Sequence, residues 1–453
     1  MVRPPSGRAL DIRMNGELVG VWYPTRADKP VFQYDAEWLR SPRVRSLSLS
    51  LPILPGNEPH RGDYVAAWFD NLLPESREIR ERIGRRFRTP SLQPFDLLAA
   101  IGRDCVGAVQ ILPAGADPGD VRRIDGDGLT DADVATLLRD TVAPQIFGND
   151  DTAEFRISLA GAQEKTALLR LDKQWCLPRA ATPTTHILKL PLGKIGNLRA
   201  NMQDSVENEW LCLHFLRALG LPTPDAEIAR FSDNRGEVKA LVVERFDREL
   251  VEEGVPPAKR WIIRLPQEDF CQAIGIPPQL KYESDGGPGI PSILTLLLAG
   301  NEPQEDALIF AKAQLAFWLL AAPDGHAKNF SIFLKRDGYS MTPLYDVLSA
   351  WPVIGKGPNE WAYQDAKLAM AVRGTRPHRH LGRISVRHWK QLATNTGVPD
   401  AFTHMVNVVE VASEALDAVY NLLPSDFPEY VWDRVSKGVL SHREHFLSVL
   451  RSD

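Results

Sequence analysis

Apolar and polar positions alternate along residues 9 to 34 and reverse around Asn15-Gly16, a dipeptide that predicts a two-residue β-hairpin. From residue 64 to 101 the apolar positions recur at helical spacing, and Val106 to Leu112 reads as a strand. The stretch Pro113 to Asp133 (PAGADPGDVRRIDGDGLTDAD) breaks both periods with Pro, Gly and Asp. It reads as a linker, so a first α+β domain is expected over residues 1–140.

Strand periodicity returns at Phe155. Phe155–Leu159 and Thr166–Leu171 flank a turn of small residues, and His186–Leu190 is a short apolar strand. A helix follows over Asp204–Leu219, stopped by Gly220, and Glu237–Phe246 is the next strand. Beyond residue 265 the pattern is mainly helical, with Leu294–Leu298 and Ala307–Ala321 strongly apolar. A β-rich lobe over 150–250 and an α-helical lobe over 255–453 form the two-lobed arrangement of protein kinases. The expected fold class is therefore α+β, an N-terminal α+β subdomain followed by a kinase-like bilobal fold.

Composition narrows the function classes. The 453 residues carry a net charge of −5, which argues against a wholly basic nucleic-acid binder. No run of 18 apolar residues occurs and the N-terminus lacks an apolar signal core, so a cytoplasmic protein with no membrane partner is expected. Cys105, Cys176, Cys212 and Cys271 lie far apart with no metal-ligand spacing, and read as reduced, mostly buried thiols. Two basic clusters stand out. Arg77–Arg88 holds six arginines among Ile79, Ile83 and Phe87, an amphipathic helix with a basic outer face. The second runs through Arg373, Arg376, Arg379, Arg383 and Arg387, and is a candidate for phosphate-backbone contacts.

The chemistry concentrates in Asp324-Gly-His-Ala-Lys-Asn329 and Leu344-Tyr345-Asp346. In a kinase catalytic loop an Asp accepts a hydroxyl proton, an Asn five positions on holds magnesium, and a second Asp after a short hairpin holds the metal bridging the ATP phosphates. Alone, Asp324-Gly325 would read as a turn and Asn329 as a cap; the order of other signals favours chemistry. Ala160-Gly161-Ala162-Gln163-Glu164-Lys165 is a small-residue turn whose backbone N–H groups can cradle a phosphate, though it matches no standard phosphate-loop pattern. Lys189, between apolar neighbours, needs anionic partners such as ATP phosphates and either Glu207 or Glu209 of the next helix. Glu244-Arg245-Phe246-Asp247 ends a strand where a kinase hinge would meet adenine. Lys328 can neutralise a transferring phosphoryl group, and His326 is placed to orient the loop. Gly286–Gly289, with its acidic flank and Pro288, reads as a mobile loop near the substrate. A small-molecule phosphotransferase of the aminoglycoside or choline kind uses the same Asp–Asn–Asp order, and a DNA-bound corepressor with an idle site is a further alternative.

The segments FRISLAGAQEKTALL, TPTTHILKLPLG, VVERFDR, LPQEDFCQ, KYESDGGPGI, PDGHAKNFS, TPLYDVLSA and DAKLAM resemble the HipA family of bacterial serine/threonine kinase toxins. SLSLSLP, FDNLLPES, QPFDLL and IGRDCVGAV extend the resemblance over nearly the whole chain. It implies Asp324 as catalytic base and Asn329 and Asp346 as magnesium ligands. It implies ATP contacts from Ala160 through Lys165, Lys189, Glu244, Arg245, Phe246, His326, Ala327, Lys328, Asn329, Tyr345 and Asp346. Ser158 matches the autophosphorylated serine. The resemblance further implies a helix-turn-helix antitoxin (HipB-like), operator DNA bound through that complex with Arg376, Arg379 and Arg383 near it, and glutamyl-tRNA synthetase as substrate. Pro323 departs from the more usual Thr or Asn before the catalytic Asp.

Overall fold

The computed structural model describes residues 8–27, 29–142, 158–161, 163–195, 200–254, 259–374 and 376–452. It divides into two compact units. One comprises Met1–Leu190, Ala229–Pro278 and Ile332–Asp337, the other Pro191–Ile228, Gln279–Ser331 and Gly338–Asp453.

In the first unit Asn15 (φ 46°) and Gly16 (φ 87°) both take the left-handed conformation that a tight hairpin needs. They join Leu10–Met14 to Glu17–Pro24, the centre of a five-stranded antiparallel sheet. Helices Asp63–Asp70, Arg77–Phe87 and Pro94–Ile101 supply its apolar cover, with Trp22 stacked on Phe69 at 3.9 Å. Ser76 caps Arg77–Phe87 by accepting from Ile79 N, and Arg88 ends it in the left-handed region. Its basic face is only partly solvated. Arg80 pairs with Asp70 at 2.8 Å, and Arg82 pairs with Glu164.

A second, six-stranded sheet follows. Lys165–Leu171 and His186–Lys189 lie at its centre, with Gly236–Glu244 beside them. The expected boundary at residue 140 is displaced. Gly126–Gly128 pairs with Cys176–Pro178 as an edge strand, and helix Asp131–Val142 buries Val134, Ala135 and Leu138 against Leu168, Trp175, Leu188 and Val242. Main-chain pairing needs no apolar side chains, so a Gly-Asp-Gly strand was hidden in what composition marks as linker. The expected strand Phe155–Leu159 lies largely outside the described residues, and Ser158 and Leu159 are not in a strand.

The second unit is mainly helical. Helix Pro303–Leu319 is buried on nearly every side and forms its axis. Trp318 near its end stacks on His442 of the terminal helix Glu429–Ser452 at 4.2 Å. A two-stranded ribbon, Lys367–Arg373 with Pro377–His380, interrupts the helices. All four cysteines are buried and free. No helix among the described residues is long and apolar enough to cross a membrane.

Candidate active site

The catalytic-loop residues of the second unit converge. Helix Pro303–Leu319 ends in a turn in which Ala321 takes φ 50°, and the chain then enters Pro323-Asp324-Gly325. At Gly325 a Cβ would lie 2.5 Å from the Phe317 ring, so only glycine lets the loop pack this closely. His326 N donates to Asp324 O at 2.8 Å, and Ala327–Asn329 forms one 3-10 turn. The loop is therefore wound tightly back upon Asp324.

Asn329 links the two carboxylate-bearing segments. Its Nδ2 donates to the main-chain oxygen of Asp324 at 2.7 Å and lies 3.5 Å from that of Asp346. Asp346 takes φ 59°, an uncommon conformation for a residue with a Cβ and one that clusters at functional sites. Neighbouring contacts hold it there. Tyr345 OH donates to Lys328 O at 2.9 Å, and Leu344 N donates to Pro222 O at 2.8 Å. Three residues further on, Ser349 exchanges two hydrogen bonds with Asn208 of helix Ser205–Ala218, at 2.8 and 2.9 Å. That helix buries both Glu207 and Glu209.

The Asp324 side chain remains about half exposed while His326 is buried, with His326 Nε2 3.7 Å from Asp324 Oδ1. Tyr282 OH donates to the same oxygen. Sequence reasoning missed this tyrosine. The glycine-rich segment that carries it is packed rather than mobile, a correction to the sequence expectation. Gly287 N donates to Tyr282 O at 3.0 Å, and a Cβ on Gly287 would sit 1.9 Å from Leu280 O. The chemistry of the donors fits magnesium. Asn329 offers an amide oxygen and Asp346 a carboxylate, hard oxygen donors of the kind magnesium takes.

In the first unit Lys189, buried at the end of its strand, lies directly opposite Lys165 in the antiparallel ladder. Two lysines facing each other across strands repel, and an anion beside them relieves that repulsion. The turn before Lys165 is anchored from both sides. Pro74 forms a bridge to Gly161, Glu75 N donates to Gly161 O at 3.1 Å, and Gln163 Nε2 donates to Leu190 O at 2.7 Å. Gly161 takes φ 109°, and a Cβ there would meet Lys165 Nζ at 2.5 Å. Ala162 lies outside the described residues. Ser158 is fully buried, its N bonded to Asp104 O at 3.0 Å and its Oγ donating to Leu72 O at 2.8 Å.

At the expected hinge, Glu244 is exposed and Phe246 packs edge-on against Phe333 at 5.8 Å. The side chain of Arg245, between them, turns inward. Its guanidinium is buried in a network with Asp247 at 2.8 Å, Thr184 at 2.9 Å and Cys105 O at 2.9 Å. Asp104 belongs to the same network, 3.0 Å from Arg248 and 3.2 Å from Arg264. Burial opposes ionisation of Asp104, but Arg248, Arg264 and Arg245 outweigh it and hold the carboxyl well below the usual range. The side chain of Arg245 is therefore structural. The arginine-rich stretch runs along the second unit's ribbon, with Arg376 and Arg383 exposed and Arg379 half-buried.

Residues 10–112 match the family described as HipA N-terminal domain, and residues 157–419 match the HipA-like C-terminal domain. The chain belongs to the HipA family. A Sinorhizobium fredii protein provisionally named as a kinase, Y4mE, is 32% identical over 91% of this chain and 92% of its own length. The serine/threonine-protein kinase toxin HipA of Shewanella oneidensis is 26% identical over 75% of each chain. In the solved complex of Shewanella oneidensis HipA with HipB and its operator DNA, a chain superposes with a TM-score of 0.76. That match covers 97% of each chain at 23% identity and establishes a shared fold. The HipA family is one of toxin kinases, and this chain is a kinase with that family's kinase-like fold.

Proposed function

We propose that this HipA-family chain transfers the γ-phosphoryl group of ATP to serine or threonine hydroxyls, with Asp324 as general base. The observation that carries the reading is the convergence of Asp324, Asn329 and Asp346 through one side-chain amide. In the step, the acceptor O–H proton passes to the Asp324 carboxylate and the acceptor oxygen bonds to phosphorus. The bond from phosphorus to the β-γ bridging oxygen breaks, and ADP leaves with its electron pair. Asn329 and Asp346 would hold magnesium, whose role when bound is to neutralise charge on the phosphates. Lys189, Lys165 and the backbone of residues 160–164 bind phosphate, while Glu244 and Phe246 bind adenine. Lys328 stabilises the transferring group, and His326 with Ala327 and Tyr345 orients the loop.

Ser158 is the self-phosphorylation site. A dianionic phosphate could not stay in its buried position, so modification would expel the phosphate loop and limit activity. Toxin function follows from phosphorylating glutamyl-tRNA synthetase in the cytoplasm, and a helix-turn-helix antitoxin brings the chain to operator DNA as corepressor. Arg376, Arg379 and Arg383 contact that DNA. The catalytic reading is tested with labelled ATP: wild type labels itself and the synthetase, and Asp346→Ala labels neither. Equal labelling by Asp346→Ala would overturn the assignment, and self-labelling without label on the synthetase would overturn the substrate.

A further inference from the structure

Tyr282, in the loop Leu280–Gly289, lies 42 positions before Asp324, yet it delivers a hydroxyl onto the proposed base. Tyr282 OH donates to Asp324 Oδ1, and the Tyr282 ring meets His326 edge-on, with centroids 4.9 Å apart and planes at 83°. The contact is built from both sides. Ala327 N donates to Lys281 O at 3.2 Å, so the main chain just before the tyrosine is joined to the catalytic loop. On the far side the buried Glu283 carboxylate accepts from Ala371 N at 2.6 Å and pairs with Arg373. The loop cannot slide without breaking these bonds, and at Gly287 it packs so closely that a Cβ would sit 1.9 Å from Leu280 O.

A carboxylate that is about half exposed on a short loop samples several rotamers, whereas a general base must present one oxygen to the acceptor. We infer that Tyr282 is a positioning residue for phosphoryl transfer, its hydroxyl fixing the rotamer of Asp324 so that the second carboxylate oxygen meets the acceptor. This rests on the reading of Asp324 as the base. A hydrogen bond from a neutral donor to a charged acceptor is strong enough to select one rotamer among a few. The ring's packing on His326 aims the donor before substrate arrives.

Tyr282→Phe keeps the ring and removes only the donor. Turnover of magnesium ATP, read as phosphate released plus phosphate incorporated, should fall about tenfold in kcat with KM for ATP unchanged. In the Asp324→Asn background the same substitution should cause no further loss, because the two act as one unit. Wild-type kcat in Tyr282→Phe beside an impaired Asp324→Asn overturns the inference alone. So does a rise in kcat, which would make the hydroxyl an occupant of the acceptor position, and so does an equal loss in both backgrounds. Full activity of Asp324→Asn itself would overturn the reading of the base and this inference together.

Discussion

The side-chain amide of Asn329 is bonded to the main chain of Asp324, Nδ2 to O at 2.7 Å, so the residue proposed as a magnesium ligand also shapes the loop. Its nitrogen shapes the turn, while its oxygen is the atom suited to magnesium. Asn329→Ala removes both. Phosphoryl transfer should fall about a hundredfold or more and need higher magnesium for half-maximal rate. Asn329→Asp keeps an oxygen ligand, loses the donor, and should fall between the two. A magnesium titration of initial rates measures this.

Ser158 is a buried serine whose Oγ donates to Leu72 O at 2.8 Å. Ser158→Ala should keep ATP affinity, since only one neutral hydrogen bond is lost, about 1 kcal/mol. Ser158→Asp puts a carboxylate where Leu72 offers only an acceptor. It should weaken ATP binding at least tenfold by displacing the turn that follows. Calorimetry on the two variants separates these outcomes.

Asp104 holds Arg248 and Arg264 through its carboxylate and Ser158 N through its main chain. Asp104→Asn leaves Asp247 as the carboxylate partner of Arg245 and Arg248 and takes from Arg264 its pair with Asp104. Breaking a buried ion network from one side costs about 3–5 kcal/mol. The denaturant midpoint of the first unit should fall accordingly, whereas Arg260→Ala, which removes the exposed pair with Asp172, should change it little.

Glu268 is fully buried and accepts from Leu49 N at 2.9 Å and Trp68 Nε1 at 3.1 Å. Burial nonetheless pushes its carboxyl up to about 7 from the ordinary 4.5. A carboxyl with a raised folded-state value binds a proton more tightly when folded. Its contribution is full below pH 4.5 and is lost as pH rises through 7. This residue alone should lower stability by on the order of 3 kcal/mol over that window. Melting curves of wild type and Glu268→Gln from pH 5 to 8 should converge at low pH, with the variant less pH-dependent.

For the ribbon arginines, replacing Arg376, Arg379 and Arg383 with alanine should weaken operator binding by the antitoxin complex at every sequence. Each lost phosphate contact should reduce the slope of log affinity against log salt by about 0.9. An unchanged slope would remove these residues from the DNA interface.

Asp324, Asn329 and Asp346, the residues proposed for the chemistry, could be singled out because they fall within one short stretch and in order with the other signals. Tyr282 could not. Its partner is 42 positions away and a tyrosine in a glycine-rich loop has no periodic signature. The burial of the Arg245 side chain was unreadable for the same reason. E-R-F-D announces a charged strand end, but the cluster that neutralises it includes Asp104, 141 positions earlier. The hairpin at Asn15-Gly16 and the buried helix Pro303–Leu319 were readable because turn chemistry and all-round apolarity are local properties. The position of helix Asp131–Val142 was unreadable, since its placement depends on which sheet supplies the facing apolar surface.

The most direct test of phosphoryl transfer by Asp324 is the intact mass of purified protein after incubation with magnesium ATP. Wild type should gain the mass of one phosphoryl group, mapped by peptide sequencing to Ser158. Asp324→Gln, melting at the same temperature, should gain none. A phosphoryl gain by Asp324→Gln at the wild-type rate would contradict the account.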